Sequence, residues 1–124
     1  MDLNAYFKSI IEVEPSPVVI CNLEHTILYL NPAACERYAN RGGAAMVGSN
    51  LFGCHNPSSN QKMEMVIEWF KKSVDNNIMF ISHNPIENKD LYMIALRDEE
   101  KNLVGYYEKH AIRNRDTSPL YDLR

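Results

Sequence analysis

Three β-rich runs follow one another in the last third of the chain with only short polar turns between them, and nothing else in the sequence restricts the fold as much. The runs are 78–84, 90–97 and 103–112. Asn88-Lys89-Asp90 and Asp98-Glu99-Glu100-Lys101-Asn102 mark the turns. Connections this short join antiparallel neighbours, because parallel strands need a crossover of a dozen residues or more. Two further runs, 17–22 and 26–30, meet at Asn22-Leu23-Glu24-His25, which reads as a hairpin turn.

The remaining segments have helical patterns. Leu3, Tyr6, Phe7, Ile10 and Ile11 recur at three- and four-residue spacing until Glu14-Pro15-Ser16-Pro17 stops the helix. Asn31-Pro32 is a helix start, with an amide side chain to cap free N–H groups and a proline shaped for the first turn. It predicts a helix over 32–39, ended by Asn40-Arg41-Gly42-Gly43. Ser58 and Gln61 have capping-box spacing and predict the start of the longest helix. Met63, Val66, Ile67, Phe70 and Val74 give it a core face. The expected fold is therefore α+β: a five-stranded antiparallel sheet with helices on one face and an N-terminal amphipathic helix. The expected division is helix 1–14, domain 15–114 and polar tail 115–124.

A chain of 124 residues fits one domain. Its formal net charge of −3 gives no footing for general nucleic-acid binding. Cys21, Cys35 and Cys54 form no CxxC pair, and an odd count fits a reduced, cytoplasmic protein. No run approaches the roughly 18 apolar residues of a membrane span.

Several segments resemble the PAS domain. Pro17-Val18-Val19-Ile20 and Ile27-Leu28-Tyr29-Leu30-Asn31-Pro32-Ala33-Ala34 are similar to its opening hairpin and Asn-x-Ala helix start. Met46-Val47-Gly48-Ser49-Asn50-Leu51-Phe52 is similar to its segment before the long helix. Asp98 through Gly105-Tyr106-Tyr107-Glu108 is similar to its last hairpin. The resemblance covers about four-fifths of the chain, Pro17 to Asn114, and implies a sensor with a cleft between sheet and helices. The flavin photoreceptor branch carries a reactive cysteine where Leu51 stands here, which argues against flavin–cysteinyl photochemistry. The photoactive yellow protein branch needs a Tyr and a Glu at positions that look like Leu30 and Ala34.

Cys54-His55-Asn56-Pro57-Ser58-Ser59 is the most unusual stretch. In a PAS cleft His55 is a candidate axial ligand for a haem iron, and Cys54 a competing thiolate. Both are also ordinary loop-fixing residues. His83 is a second candidate ligand: in strict alternation it lies on the face opposite Phe80 and can point either way, and it is equally an ordinary surface or half-buried histidine. His25 and His110 read as solvated. Met63, Met65, Met79 and Met93, with Ile67, Phe70, Trp69, Phe80 and Tyr92, are suited either to an adaptable pocket or to a plain core. Zinc-site spacing and nucleophile, phosphate-loop or metalloprotease motifs are absent, so no enzyme is expected. Two functions stay open: a homodimeric signalling sensor for a small molecule or cofactor, haem among them, and a ligand-free interaction or dimerisation module. The chain reads either as a free-standing sensor or as part of a larger signalling protein.

Overall fold

The computed structural model describes residues 1–54 and 56–123. The elements run α1 (Asn4–Val13), β1 (Val18–Asn22), β2 (Ile27–Leu30), α2 (Pro32–Arg37), three short 3-10 turns, α3 (Pro57–Lys72), β3 (Ile78–Asn84), β4 (Lys89–Arg97) and β5 (Leu103–Ile112). All strand pairs are antiparallel, in the order β2-β1-β5-β4-β3. The sheet matches the sequence reading, and β5 lies at its centre. Val19, Cys21, Met93 and Tyr106 pack beneath Met63, Val66, Ile67 and Phe70 of α3 to form the core.

Asn31 organises the first half. It is wholly buried. Its Oδ1 accepts from the Val18 and Ala34 amides, both at 2.9 Å. Its Nδ2 donates to the carbonyls of Ile11 (3.1 Å), Glu14 (3.3 Å) and Ser16 (3.0 Å). One amide thus caps α2, fixes the start of β1 and satisfies the carbonyls where α1 ends.

Arg97 does the same for the second half. Its guanidinium donates to the carbonyls of Phe70, Ser73 and Asn76 and to Asn77 Oδ1, closing the C-terminus of α3 onto the β4–β5 hairpin. Close packing at Gly105 joins β1 to β5: a Cβ there would lie 2.3 Å from the Cys21 carbonyl oxygen.

Three local expectations need correcting. α3 begins at Pro57, not Ser58, because Asn56 accepts from the Ser59 amide at 2.8 Å and displaces the Ser58–Gln61 box. That start repeats the Asn-Pro chemistry of α2. The helix ends at Lys72, so Val74 lies past it and is exposed. α2 stops at Arg37, and a 3-10 turn follows over Ala39–Arg41.

Asn31→Ala removes two acceptor and three donor contacts from buried backbone. We expect a loss of roughly 3 kcal/mol or more of stability, from the cost of leaving such groups unpaired. Urea unfolding with an unchanged slope measures it, and a loss below ~1 kcal/mol would show that Asn31 is not the anchor.

A candidate ligand cleft beside the central strand

Alternation along β5 points Tyr106, Glu108 and His110 toward the helices, and Tyr107 and Lys109 toward the opposite face. Only the first inward residue is fully satisfied. Tyr106 is wholly buried, and its hydroxyl lies 2.7 Å from His25 Nδ1. His25 Nε2 in turn lies 2.8 Å from Glu64 Oε1 on α3. Burial drives the Tyr106 pKa far up and keeps the phenol neutral; the Glu64 carboxylate accepts from Nε2–H, and in that neutral tautomer Nδ1 accepts from the phenol. Burial also pushes the thiol of Cys21, the register partner of Tyr106 on β1, up to about 12. Phe52 stacks on the imidazole at 3.8 Å between ring centres. His25 is therefore a buried linker, not the solvated turn residue expected. Its backbone takes the left-handed conformation, φ 67°, which turns the ring inward.

Glu108, two residues on, is only 6% exposed. Among the described residues nothing donates a hydrogen bond to its carboxyl, and burial pushes its pKa up to about 7. It lines a cavity of about 200 Å³ with Ser59, Lys62 and Met63 of α3, Ile81 and Ser82 of β3, and Leu91 and Met93 of β4. Ser82 and Leu91 also border a second space of about 200 Å³, which His110 enters beside Arg37, Glu87 and Lys89. His110 Nε2 is buried without a partner among the described residues. Burial, with Arg37 and Lys89 nearby, lowers its pKa to about 4. It is a neutral, half-buried ring, contrary to expectation.

The residues singled out in the sequence part company here. Met63 lines the cleft, and Ile67 and Phe70 form the core beside it. Tyr92 stacks on Phe80 across the outer face of the sheet, ring centres 5.3 Å apart. His83 shares that face, with Nδ1 2.9 Å from Asp90 Oδ1, and Arg113 holds the other carboxylate oxygen at 2.8 Å. Strict alternation would have put His83 opposite Phe80. A β-bulge between Phe80 and Ser82 adds one residue and brings both to the same side. His55 and the Cys54 side chain lie outside the described residues. Sequence reasoning missed Glu108 as a site residue and read His110 as solvated. Their spacing of two from Tyr106 on one strand was the available signal.

The chain is thus an α+β domain whose central strand carries buried polar groups into a cleft beneath a helix. The PAS domain family matches residues 15–109 of this chain, and the chain belongs to that family. A PAS domain from Colwellia psychrerythraea is similar in structure, with TM-score 0.66, 12% identity, and coverage of 90% of this chain and 97% of that one. The PAS domain of BvgS from Bordetella pertussis has TM-score 0.61 and 16% identity over 93% and 89%. The Aer2 receptor of Vibrio cholerae, a dual PAS–heme oxygen sensor, has TM-score 0.55 and 19% identity over 80% and 95%. No curated protein matches in sequence.

An iron in a haem needs an axial ligand such as an imidazole with a free nitrogen. Among the described histidines His25 uses both of its nitrogens and His83 stands behind the sheet, while His110 keeps Nε2 without a partner; His55 lies outside the described residues. Pockets for drug-sized ligands run to roughly 300–1,000 Å³, above the cavity beside Glu108. No group of three or more potential metal-binding side chains converges among the described residues.

The two unpartnered groups have opposite pH signatures. Glu108 holds its proton in the fold up to about pH 7, against an ordinary value of 4.5. Its contribution to stability is full below pH 4.5 and lost as pH rises through about 7. His110 falls from 6.5 to about 4, so its contribution is full above pH 6.5 and lost as pH falls through about 4. Between pH 4.5 and 6.5 the slopes oppose. Glu108→Gln should therefore unmask stability that rises with pH in this window, and His110→Gln stability that falls. The Glu108 span is on the order of 3 kcal/mol. Urea midpoints at several pH values measure both, and parallel curves for wild type and variants would refute the assignment.

Proposed function

We propose that this PAS domain is a sensor that takes a small molecule into the cleft between α3 and the sheet and relays its occupancy through contacts of α1. The observation that carries the reading is the Glu108 carboxyl: buried, unbonded, and facing space lined by Met63, Leu91 and Met93. A buried polar group costs stability unless a partner satisfies it, and a ligand would be that partner. The family is one of sensory modules, and structural neighbours include a PAS–heme oxygen sensor and a light-oxygen-voltage receptor. No helix among the described residues is long and apolar enough to cross a membrane.

Relay through a second copy of the chain is supported by α1. The helix is amphipathic, yet none of its ten residues is buried. Isolated helices of that length are marginal in water, so the stripe of Tyr6, Phe7 and Ile10 calls for a covering surface. Between α1 and the outer sheet face runs a groove of about 270 Å³, lined by Ile10, Ile11, Ile20, Leu96 and Tyr107 among others. The corresponding stripe of a partner copy would fill it.

A screen of small uncharged and charged fragments by thermal shift tests the cleft. At least one compound should raise the melting temperature of the wild type and lose that effect in Leu91→Trp, whose indole fills the space. No stabilising compound, or stabilisation indifferent to Leu91→Trp, would remove the sensor reading and leave a ligand-free interaction module. Sedimentation tests the relay. The wild type should be a dimer and the Tyr6→Glu, Ile10→Glu double variant a monomer, and a monomeric wild type ends that part of the proposal.

A further inference from the structure

The chemistry of the cleft points to a class of ligand, an inference that rests on the sensor reading above. Glu108 supplies the one buried carboxyl on the cavity wall, and the surfaces around it are the aliphatic and thioether side chains of Met63, Ile81, Leu91 and Met93. Its inward neighbour on β5 is His110, about 7 Å along the strand, with a buried nitrogen also lacking a partner among the described residues. The two cavities adjoin at Ser82 and Leu91. We propose that the ligand is a small primary amine, its ammonium held by the Glu108 carboxylate and a hydroxyl or carbonyl at its far end hydrogen-bonded to His110.

A cation is the partner that turns an isolated buried carboxyl into a charge-assisted pair. The apolar walls suit the carbon skeleton of such an amine and exclude water from the pair. A neutral imidazole can accept from a hydroxyl or donate to a carbonyl, depending on its tautomer. An anionic ligand would meet the buried carboxyl with like charge. The titratable groups around Glu108 are Lys62 on α3, Cys21 on β1, Tyr106 on β5 and Tyr38 after α2. Lys62 is exposed at the rim, and Arg37, Lys89 and Glu87 line the His110 end.

The test uses matched pairs on the full chain by calorimetry: tyramine against tyrosol, and 5-aminopentan-1-ol against pentane-1,5-diol. The amines should bind at least tenfold more tightly than the alcohols. Glu108→Gln should erase that preference without weakening the alcohols, and His110→Leu should erase the advantage of tyramine over phenethylamine. Because binding needs the carboxylate, affinity for the amines should rise from pH 6 to 8 with release of a proton to buffer. Lys62→Met should leave amine binding equal or stronger, and abolition would mean that Lys62 shapes the site in another way and would overturn the assignment. Equal binding of amines and alcohols, or an unchanged preference in Glu108→Gln, overturns the amine proposal. If uncharged fragments still bind and Leu91→Trp still blocks them, the sensor reading survives that failure. If none of these compounds nor any fragment binds, both fall.

Discussion

The side chain of Asn31 satisfies five backbone groups from four stretches of chain that have no other common element: the end of α1, the Pro-rich link, the start of β1 and the first turn of α2. Its geometry cannot be met by a hydroxyl or a carboxylate, because acceptor and donor are needed on one planar group. With Asn31 in place, β1 enters the sheet beside β5 in a fixed register, Val19 opposite Glu108 and Cys21 opposite Tyr106. That register sets which residues of the central strand face the helices. The cleft therefore depends on an amide that does not touch it.

The inward row of β5 then presents three polar residues to the helix layer, where apolar residues are the rule. Tyr106 and Glu108 stand two residues apart with opposite fates. Tyr106 reaches His25 and through it Glu64, so that its hydroxyl is buried at little net cost. Glu108 meets aliphatic and thioether groups and holds its proton near neutrality. An apolar residue there would pack better, and the stability forgone is the kind that binding sites characteristically give up. A satisfied network and an unsatisfied group so close together argue that the second is not a packing accident of the first.

Much of the fold was legible because its signals are local. Asn31-Pro32, the polar turns at 88–90 and 98–102, and the β-rich runs each act within a few residues, and together they give the element order and an antiparallel sheet. The site was less legible because its determinants are distant. His25 looked like a turn residue, yet its partners lie 39 and 81 residues away in Glu64 and Tyr106. The face of His83 could not be read, since a bulge between Phe80 and Ser82 changes the face of everything beyond it without altering composition. Met63 and Phe70 were found by helical period, which holds along α3. Glu108 went unremarked and His110 was read as solvated because glutamate and histidine in a strand usually face water, and only the register with β1 and β4 turns them inward.

The same strand also explains how an event in the cleft can be felt outside it. Between Glu108 and the neighbouring inward groups stand Tyr107 and Lys109, which point the other way and line the groove beside α1. Burial and the Glu14 carboxylate raise the Tyr107 pKa, so this phenol is neutral and packs at the α1 end. Ladders to β1 and to β4 hold this strand on both sides, and its Gly105 backbone packs against the Cys21 carbonyl. In the proposed relay, a ligand drawing on Glu108 would be felt on the opposite face by Tyr107 and Lys109, and through them by α1.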